Sequence, residues 1–312
     1  MKPFAFVFPG QGAQRVGMLD AWGEHPAVAE VLAEASQALG EDVGKLIHEG
    51  PAQALELTTN TQPVMLAAGI ACYRAWLAEG GPAPVALAGH SLGEYTALVA
   101  AGALTLADAL PLVRFRAQAM QQAVPVGEGA MAAILGLEPA AVVEGCVRAA
   151  SEMGAVVSAA NFNDPMQTVI SGAKAAVDKA CEVLKGMGAK RALLLSVSAP
   201  FHCALMAPAA QELRERLAGV ALQSPRIPVV NNVDVAAPSE PAAIRDALVR
   251  QAHSPVRWIE VVRALRARGP THVFECGPGK VLAGMVKRID ADAVATTVFD
   301  PSTLRDALGL LA

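Results

Sequence analysis

Charged residues are scarce in this sequence: Lys, Arg, Asp and Glu make up 17% of the 312 residues, while hydrophobic residues make up 53%. The net charge is −4, and the sequence contains no basic run. Without such a run, binding to nucleic acid or to an anionic membrane surface is not expected. The apolar content is ample for a buried core and argues against a disordered chain.

Long apolar runs are also missing. A membrane helix needs roughly 18 uninterrupted apolar residues, and the segment that comes closest, Val64–Ala78, is interrupted by Arg74. The N-terminal sequence MKPFAFVFPGQG holds too few apolar residues before Pro9 for a secretory signal peptide. We therefore expect a soluble cytoplasmic protein with no membrane partner. Nothing in the sequence indicates an obligate oligomer, so a monomer is expected.

Cysteine and histidine pairs with metal-binding spacing are absent. The five cysteines, at positions 72, 146, 181, 203 and 276, are scattered, odd in number and form no CxxC pair. Buried, reduced thiols are the expected state of such cysteines. The six histidines show neither HExxH nor HxxxH spacing, so no metal site is predicted.

What the sequence does have is an alternation of strand and helix patterns. The apolar segments Phe4–Phe8 and Val85–Ala88 are short, which predicts buried strands. The chain after residue 200 alternates again, which favours a parallel sheet covered by helices. Helices are predicted in these parts at 27–39, 64–79, 92–102, 106–122, 241–252, 257–268 and 280–290, and further strands at 229–230, 273–274 and 293–298.

A different pattern occupies residues 126–197. The predicted elements are a strand (130–137), a helix (139–152), two strands (155–162 and 167–172), a helix (174–187) and a last strand (193–197). This βαββαβ order is that of a ferredoxin-like unit. The sequence therefore predicts an α/β fold with an α/β-hydrolase-like large domain, built on a parallel sheet from residues 1–125 and 198–312. The ferredoxin-like small domain, 126–197, is inserted into it, and a pocket is expected where the two meet.

A serine stands between the strand 85–88 and a helix, in the sequence GHSLG at 89–93. Glycine two positions on either side of Ser91 removes the Cβ atoms that would clash in a sharp turn. A GxSxG turn in this context is typical of a nucleophile elbow, where the helix N-terminus offers free N–H groups to a developing oxyanion. A helix-capping turn with Ser91 as the N-cap is the simpler alternative, but the strand–turn–helix context favours the nucleophile.

The motif GHSLGEY resembles the active-site motif of the malonyl-CoA:acyl carrier protein transacylases, the acyltransferases of fatty-acid synthesis. The resemblance covers nearly the whole chain, and it implies the inserted ferredoxin-like subdomain and a catalytic Ser-His pair. The other segments that carry it, in order, are FPGQGAQ (8–14), TQPVML (61–66), RAQAMQQAVP (116–125), GAMAAILGL (129–137), NFNDPMQTVISG (161–172), APFHCALM (199–206), VVNNVDV (229–235), LVRQ (248–251) and GPGKVL (277–282).

A serine hydroxyl needs a base to act as a nucleophile near neutral pH. His202 stands where the chain re-enters the large domain, although an ordinary hydrogen-bonded histidine at a strand end would have the same pattern. The resemblance maps the catalytic histidine onto His202. The aspartates between the serine and this histidine are Asp108, Asp164 and Asp178, and none has a loop context aimed at an imidazole. The resemblance implies instead that the backbone carbonyl of Gln251 holds the ring.

A malonyl group carries a free carboxylate, which needs a matched cation inside a closed pocket. Arginine suits this because its planar fork donates two parallel hydrogen bonds. Arg114 and Arg116 lie two positions apart on a predicted helix, so only one can face a pocket, and a surface position would suit either. The resemblance aligns Arg116 with the carboxylate-binding arginine and leaves Arg114 in solvent. It also assigns the N–H groups of Gln11 and Leu92 to the oxyanion hole and Phe201 to selectivity against branched acyl groups.

Two basic pairs, Lys190-Arg191 and Lys287-Arg288, resemble the family's docking face for an acidic carrier protein, although solvated charges at element ends have the same pattern. The resemblance implies transfer of malonyl from malonyl-CoA to the phosphopantetheine thiol of holo acyl carrier protein through malonyl-Ser91. No metal or redox cofactor is needed. The alternatives are a GxSxG serine thioesterase or esterase, an acyltransferase serving a polyketide or malonate decarboxylase carrier, and a non-catalytic scaffold.

Overall fold

The computed structural model describes all residues from 1 to 312. The strands are β1 (Phe4–Phe8), β2 (Ala86–Gly89), β3 (Gly129–Leu135), β4 (Val157–Asp164), β5 (Gln167–Ala173), β6 (Arg191–Leu194), β7 (Val229–Val230), β8 (His272–Cys276) and β9 (Val294–Val298). The α-helices are α1 (Pro26–Leu39), α2 (Val43–Glu49), α3 (Ala52–Glu56), α4 (Thr58–Ala78), α5 (Gly93–Ala100), α6 (Leu106–Gln122), α7 (Pro139–Met153), α8 (Lys174–Gly186), α9 (Ala207–Ala218), α10 (Pro241–His253), α11 (Trp258–Arg266), α12 (Val281–Ile289) and α13 (Pro301–Leu311).

Five strands form a sheet in the order β7-β2-β1-β8-β9, and every pairing in it is parallel. The central strand β1 is buried along its whole length. Its phenylalanines pack into one hydrophobic cluster, whereas Ala5 and Val7, on the opposite face, pack into another. Burial on both faces is expected of a parallel sheet covered by helices, and the predicted parallel sheet is confirmed.

A separate antiparallel sheet is formed in the order β4-β5-β3-β6. Its elements follow one another as β3-α7-β4-β5-α8-β6, which is the predicted order, and all of them lie between residues 129 and 194. Helices α7 and α8 cover one face and share a hydrophobic cluster with the strands. The opposite face carries Met131 and Val169, which line the main cavity of the protein. The sheet therefore supplies one wall of that cavity.

Helix α4 is the longest element, with 21 residues, and most of it is buried. Arg74, which interrupts its apolar sequence, pairs with Glu34 at 2.7 Å. No helix, α4 included, combines the length and the apolarity that crossing a membrane requires. All five cysteines are buried and unpaired, as predicted.

Several predicted boundaries are wrong. Helix α4 begins at Thr58 rather than 64, although Pro63 lies inside it, because the Thr61 hydroxyl also donates to the carbonyl of Leu57 (3.0 Å) and holds the first turn. Strand β6 ends at Leu194 rather than 197, since the last backbone hydrogen bond to β3 is the one from the Leu195 N–H to the Met131 carbonyl (2.9 Å). Four helices, α2, α3, α9 and α13, were not predicted from the sequence pattern.

Candidate active site

Ser91 lies at the tip of a turn between β2 and α5. Its backbone is in the left-handed region, with φ of 52°, which is a strained conformation for a residue other than glycine. A Cβ atom on Gly89 would overlap the backbone of Gly93, and one on Gly93 would overlap the carbonyl oxygen of Phe8. The predicted elbow is thus formed, and the chain passes too close to itself for any side chain at either glycine.

Replacing Gly89 with alanine should lower the free energy of unfolding by about 3 kcal/mol or more. The added Cβ meets main-chain atoms of the elbow, which cannot move aside as a flexible side chain can. Urea unfolding of the purified variant measures the effect. Gly186→Ala is the matched control, because a Cβ there meets no atom within 4 Å. A Gly89→Ala variant as stable as this control would contradict the close contact.

The Ser91 hydroxyl and the His202 imidazole are in direct contact, with 2.7 Å between Oγ and Nε2. On the other side of the ring, Nδ1 lies 2.9 Å from the backbone carbonyl oxygen of Gln251. A carbonyl can only accept a hydrogen bond, so Nδ1 carries the proton and Nε2 is left free to accept from the serine. His202 also has a positive φ, of 60°. The pair is therefore arranged as nucleophile and base.

The imidazole of His202 is kept neutral. Burial and, to a smaller extent, the positive charge of Arg116 lower its pKa to about 3, although the hydrogen bond that it donates to the Gln251 carbonyl acts in the opposite direction. A neutral imidazole is the form that can take a proton from Ser91. Because the pKa of His202 is lowered, the imidazole is neutral at neutral pH and is available as a general base.

No carboxylate completes a triad. Asp108 bonds with Thr105 at the start of α6. Asp164 pairs with Arg288, and Asp178 pairs with Lys174. All three aspartates are occupied elsewhere, and a backbone carbonyl holds the ring in their place.

Two backbone N–H groups, one next to the serine in the chain and one on the wall of its cavity, have no acceptor within the protein. They belong to Gln11 and Leu92, the residues predicted to form an oxyanion hole. Gln11 lines the same cavity as the serine, and its side chain is held by the hydroxyl of Thr58 (2.8 Å). Leu92 is the residue before α5, so its N–H lies at the positive end of that helix. Unpaired donors of this kind can stabilise a tetrahedral oxyanion.

Arg116 is buried against the serine, with 2% of its surface exposed. Its Nη2 donates to Ser91 Oγ (3.1 Å) and to the Gln251 side-chain oxygen (2.9 Å), and its Nη1 donates to the oxygen of Gln62 (2.6 Å). The guanidinium also lies over the ring of Tyr95, 5.4 Å from its centroid. None of these partners is an anion, and burial lowers the pKa of the guanidinium. A buried cation that forms no ion pair, beside the nucleophile, is a site for an anionic group of a substrate.

Arg114 points elsewhere, as two positions on a helix require. It forms an ion pair with Glu41 and keeps 21% of its side chain exposed. The prediction that only one of the two arginines faces the pocket is confirmed, but Arg114 is paired rather than left in solvent.

The serine, the histidine and Arg116 line a cavity of about 390 Å³ between the elbow and the antiparallel sheet. Phe201 also lines it and is 8% exposed. The other walls come from the loop after β1, from strands β3 to β5 and from the start of α12. A volume of this size accommodates a small acyl group with part of a thiol arm.

Cysteine offers no competing nucleophile at the site. Cys203 is next to the histidine, but its thiol donates to the carbonyl of Pro200 (3.1 Å) and burial raises its pKa. A thiol with a raised pKa supplies little thiolate. No three His, Cys, Asp or Glu side chains are grouped so that they could hold a metal ion.

The four basic residues predicted for carrier docking are exposed. Arg191 is the first residue of β6, Lys190 directly precedes it, and Lys287 lies in the last turn of α12. Arg288 differs because its Nε donates to Asp164 (2.6 Å), so that it ties α12 to the end of β4.

Sequence reasoning gave no role to three buried polar residues of the site. Gln62 accepts a hydrogen bond from Arg116, Asn232 bonds through its side chain to the backbone of the elbow, and Glu94 accepts from the backbone N–H of Asn232. All three lie in segments that carried the family resemblance, namely TQPVML, GHSLGEY and VVNNVDV. The signal available was a polar residue inside an otherwise apolar, buried segment.

Comparison with known proteins agrees with this geometry. The model of the acyl transferase domain family matches residues 5–306. The malonyl CoA-acyl carrier protein transacylase of Escherichia coli (strain K12) is 52% identical over 311 residues, which span 99% of this chain and 100% of that protein. This chain belongs to the malonyl-CoA:acyl carrier protein transacylase family. The resemblance seen in the sequence motifs is confirmed.

Two solved structures extend the comparison within the transacylase family. An acyl-carrier-protein S-malonyltransferase from Burkholderia pseudomallei is 63% identical, with a TM-score of 0.97 over 98% of this chain and 99% of that chain. A malonyl-transacylase solved in complex with a type II polyketide acyl-carrier protein is 47% identical, with a TM-score of 0.96 over 99% of each chain. Both are similar to this chain along its whole length.

Proposed function

We propose that this chain transfers a malonyl group from malonyl-CoA to the phosphopantetheine thiol of a holo acyl carrier protein, and so supplies malonyl carrier for fatty-acid synthesis. The observation that carries the proposal is the buried guanidinium of Arg116, which forms no ion pair within the protein and lies 3.1 Å from Ser91 Oγ. A malonyl thioester presents a carboxylate and a reactive carbonyl a few bonds apart. The site offers a cation for the first and a nucleophile for the second.

In the first half-reaction, Ser91 Oγ attacks the thioester carbonyl while His202 Nε2 takes the hydroxyl proton. The unpaired N–H groups of Gln11 and Leu92 receive the oxyanion of the tetrahedral intermediate. The intermediate collapses as the C–S bond breaks, and the imidazolium returns its proton to the departing thiolate of coenzyme A. Malonyl-Ser91 remains, with its carboxylate held by Arg116.

In the second half-reaction the same groups act in reverse. His202 takes the proton of the carrier's pantetheine thiol, whose sulfur attacks the Ser91 ester. Serine then leaves with the proton that the imidazolium returns. Coenzyme A and the carrier bear the same thiol arm, so one cavity serves both steps in turn. No step requires a metal or a redox cofactor.

The names of the relatives support this substrate pair, and the solved complex with a polyketide carrier supports a second candidate carrier class. Lys190, Arg191, Lys287 and Arg288 are proposed for docking the acidic carrier, and Phe201 for excluding branched acyl groups. Transfer assays against purified fatty-acid, polyketide and malonate decarboxylase carriers distinguish the possibilities. The carrier that accepts malonyl fastest identifies the native class.

We also infer the finer architecture. Residues 1–125 and 198–312 form an α/β-hydrolase-like large domain, and residues 126–197 form a ferredoxin-like small domain. The strand order β4-β5-β3-β6, with two helices on one face, supports the second assignment. A monomer in the cytoplasm is proposed, and the five buried, unpaired thiols support a reducing compartment.

Purified protein mixed with malonyl-CoA alone should carry a malonyl adduct on the peptide that contains Ser91. Peptide mass spectrometry detects the adduct, and the Ser91→Ala variant should lack it. Addition of holo-carrier should discharge it with formation of malonyl carrier. Consumption of malonyl-CoA that is equally fast without carrier would identify a thioesterase instead, and absence of any adduct would identify a non-catalytic scaffold.

A further inference from the structure

A buried carboxyl group lies beneath the elbow. Glu94, the second residue of α5, is 2% exposed and forms no ion pair with a lysine or arginine. Its Oε2 accepts from the Asn232 backbone N–H (2.8 Å) and from the Gln251 side-chain Nε2 (3.0 Å). The acyl-transfer steps do not use it directly. A buried carboxyl with two donors from distant segments needs a reason to be there.

The first branch of this network fixes the elbow. Asn232, whose N–H donates to Glu94, accepts from the Ser91 backbone N–H through Oδ1 (2.8 Å) and donates to the Gly89 carbonyl through Nδ2 (2.8 Å). The two bonds hold the strained turn on both sides of the serine. Glu94 therefore anchors the loop that keeps the nucleophile in its left-handed conformation.

The second branch fixes Gln251. Its Nε2 donates to Glu94 and to the Ser91 carbonyl (3.0 Å), its Oε1 accepts from Arg116 (2.9 Å), and its backbone carbonyl accepts from His202 (2.9 Å). Glu94 Oε2 accepts from the amide nitrogen of Gln251, whereas the Arg116 guanidinium can only donate. Glu94 and the Ser91 carbonyl, which both accept from Nε2, thus set which end of the amide faces Arg116.

We propose that Glu94 is a positioning residue, whose carboxyl orients the Gln251 amide and thereby holds Arg116 where a substrate carboxylate binds. The proposal rests on the malonyl transfer proposed above. Removal of the carboxyl leaves Nε2 with one acceptor fewer and lets the amide turn its NH₂ group toward the guanidinium. Arg116 then loses an acceptor and its fixed place. The acylation rate should therefore fall more for a substrate that has a carboxylate than for a substrate that has none.

The test compares single-turnover acylation of Ser91 by malonyl-CoA and by acetyl-CoA, as the ratio of the two kcat/KM values. Glu94→Ala should lower the malonyl-to-acetyl ratio by about tenfold, the equivalent of one charge-assisted hydrogen bond. Glu94→Gln should recover most of the ratio, because its Oε1 can still accept from both donors. General destabilisation of the site would lower kcat/KM for both substrates by the same factor and leave their ratio unchanged. An unchanged ratio in Glu94→Ala therefore overturns the proposal.

Glu275→Ala is the matched control. Glu275 is also a fully buried carboxyl, and its Oε2 accepts from the N–H of Ala283 in α12 rather than from the elbow network. Burial raises the pKa of Glu94 and of Glu275 alike, to about 7. This control should lower the melting temperature and leave the malonyl-to-acetyl ratio as in the unmodified protein. An equal change of ratio in both variants overturns the proposal.

Glu94→Asp keeps the inference testable if the alanine variant does not fold. The shorter side chain withdraws the carboxyl by one methylene and cannot reach both donors, so the ratio should fall, and an unchanged ratio overturns the proposal. If the proposed malonyl transfer is itself wrong, the unmodified protein will form no malonyl-Ser91, and this outcome is distinct from a failure of the role of Glu94. Adduct formation in the unmodified protein with an unchanged ratio in every variant would overturn the role of Glu94 alone.

Discussion

Replacing His202 with alanine should slow the formation of malonyl-Ser91 by roughly 10²- to 10⁴-fold, the usual contribution of a general base. Nε2 of this histidine is the only basic nitrogen in contact with the serine hydroxyl, at 2.7 Å. Because the pKa of His202 is lowered to about 3, the imidazole is neutral and ready to accept a proton throughout the neutral range. Quenched-flow mixing with malonyl-CoA, followed by mass spectrometry of the Ser91 peptide, measures the rate constant.

His90→Ala is the control for this experiment. His90 is the other histidine beside the serine and lines the same cavity, but its Nε2 bonds to Asn163 (2.9 Å) rather than to Ser91. Its removal should cost far less than removal of His202. If His90→Ala lowered the acylation rate more than His202→Ala does, the assignment of His202 as the base would be wrong.

The elbow could be predicted from the sequence because five consecutive residues encode it. Gly89, Ser91 and Gly93 meet the steric demands of the turn by themselves, and the short strand and helix on either side are local patterns. The βαββαβ order could be predicted for the same reason, since each of its elements has its own periodicity. Local rules of this kind need no knowledge of distant contacts.

The partners of the serine could not be derived in this way. His202 meets Ser91 across 111 positions, and Gln251 meets it across 160, so that no spacing rule joins them. Only the family resemblance predicted these two residues. Glu94 received no role because its partners, Asn232 and Gln251, lie 138 and 157 positions away. A buried carboxyl inside an apolar helix is recognisable in a sequence, but what it holds is set by tertiary packing.

Replacing Arg116 with alanine should lower acylation by malonyl-CoA by roughly 10²-fold, because a charged group in a buried site loses hydrogen bonds worth about 1.5–3 kcal/mol each. The guanidinium is the one cation in contact with the nucleophile, and it has amide and hydroxyl partners but no carboxylate of its own. Acetyl-CoA has no carboxylate to desolvate, so its acylation rate should fall much less or rise. Competition between the two thioesters, read as the ratio of adducts on Ser91, measures the change.

Arg114→Ala gives the matched control for the carboxylate site. Arg114 lies on the same helix, but it pairs with the carboxylate of Glu41 and does not line the cavity. Its loss should leave the adduct ratio as it is in the unmodified protein. If Arg116→Ala lowered the acylation rates for malonyl-CoA and acetyl-CoA equally, the carboxylate-binding role would be wrong. The function of Arg116 would then be to hold Ser91 Oγ and Gln251 in position. If the malonyl-to-acetyl adduct ratio falls in Arg116→Ala and stays unchanged in Arg114→Ala, the preference for malonyl depends on the buried charge of Arg116.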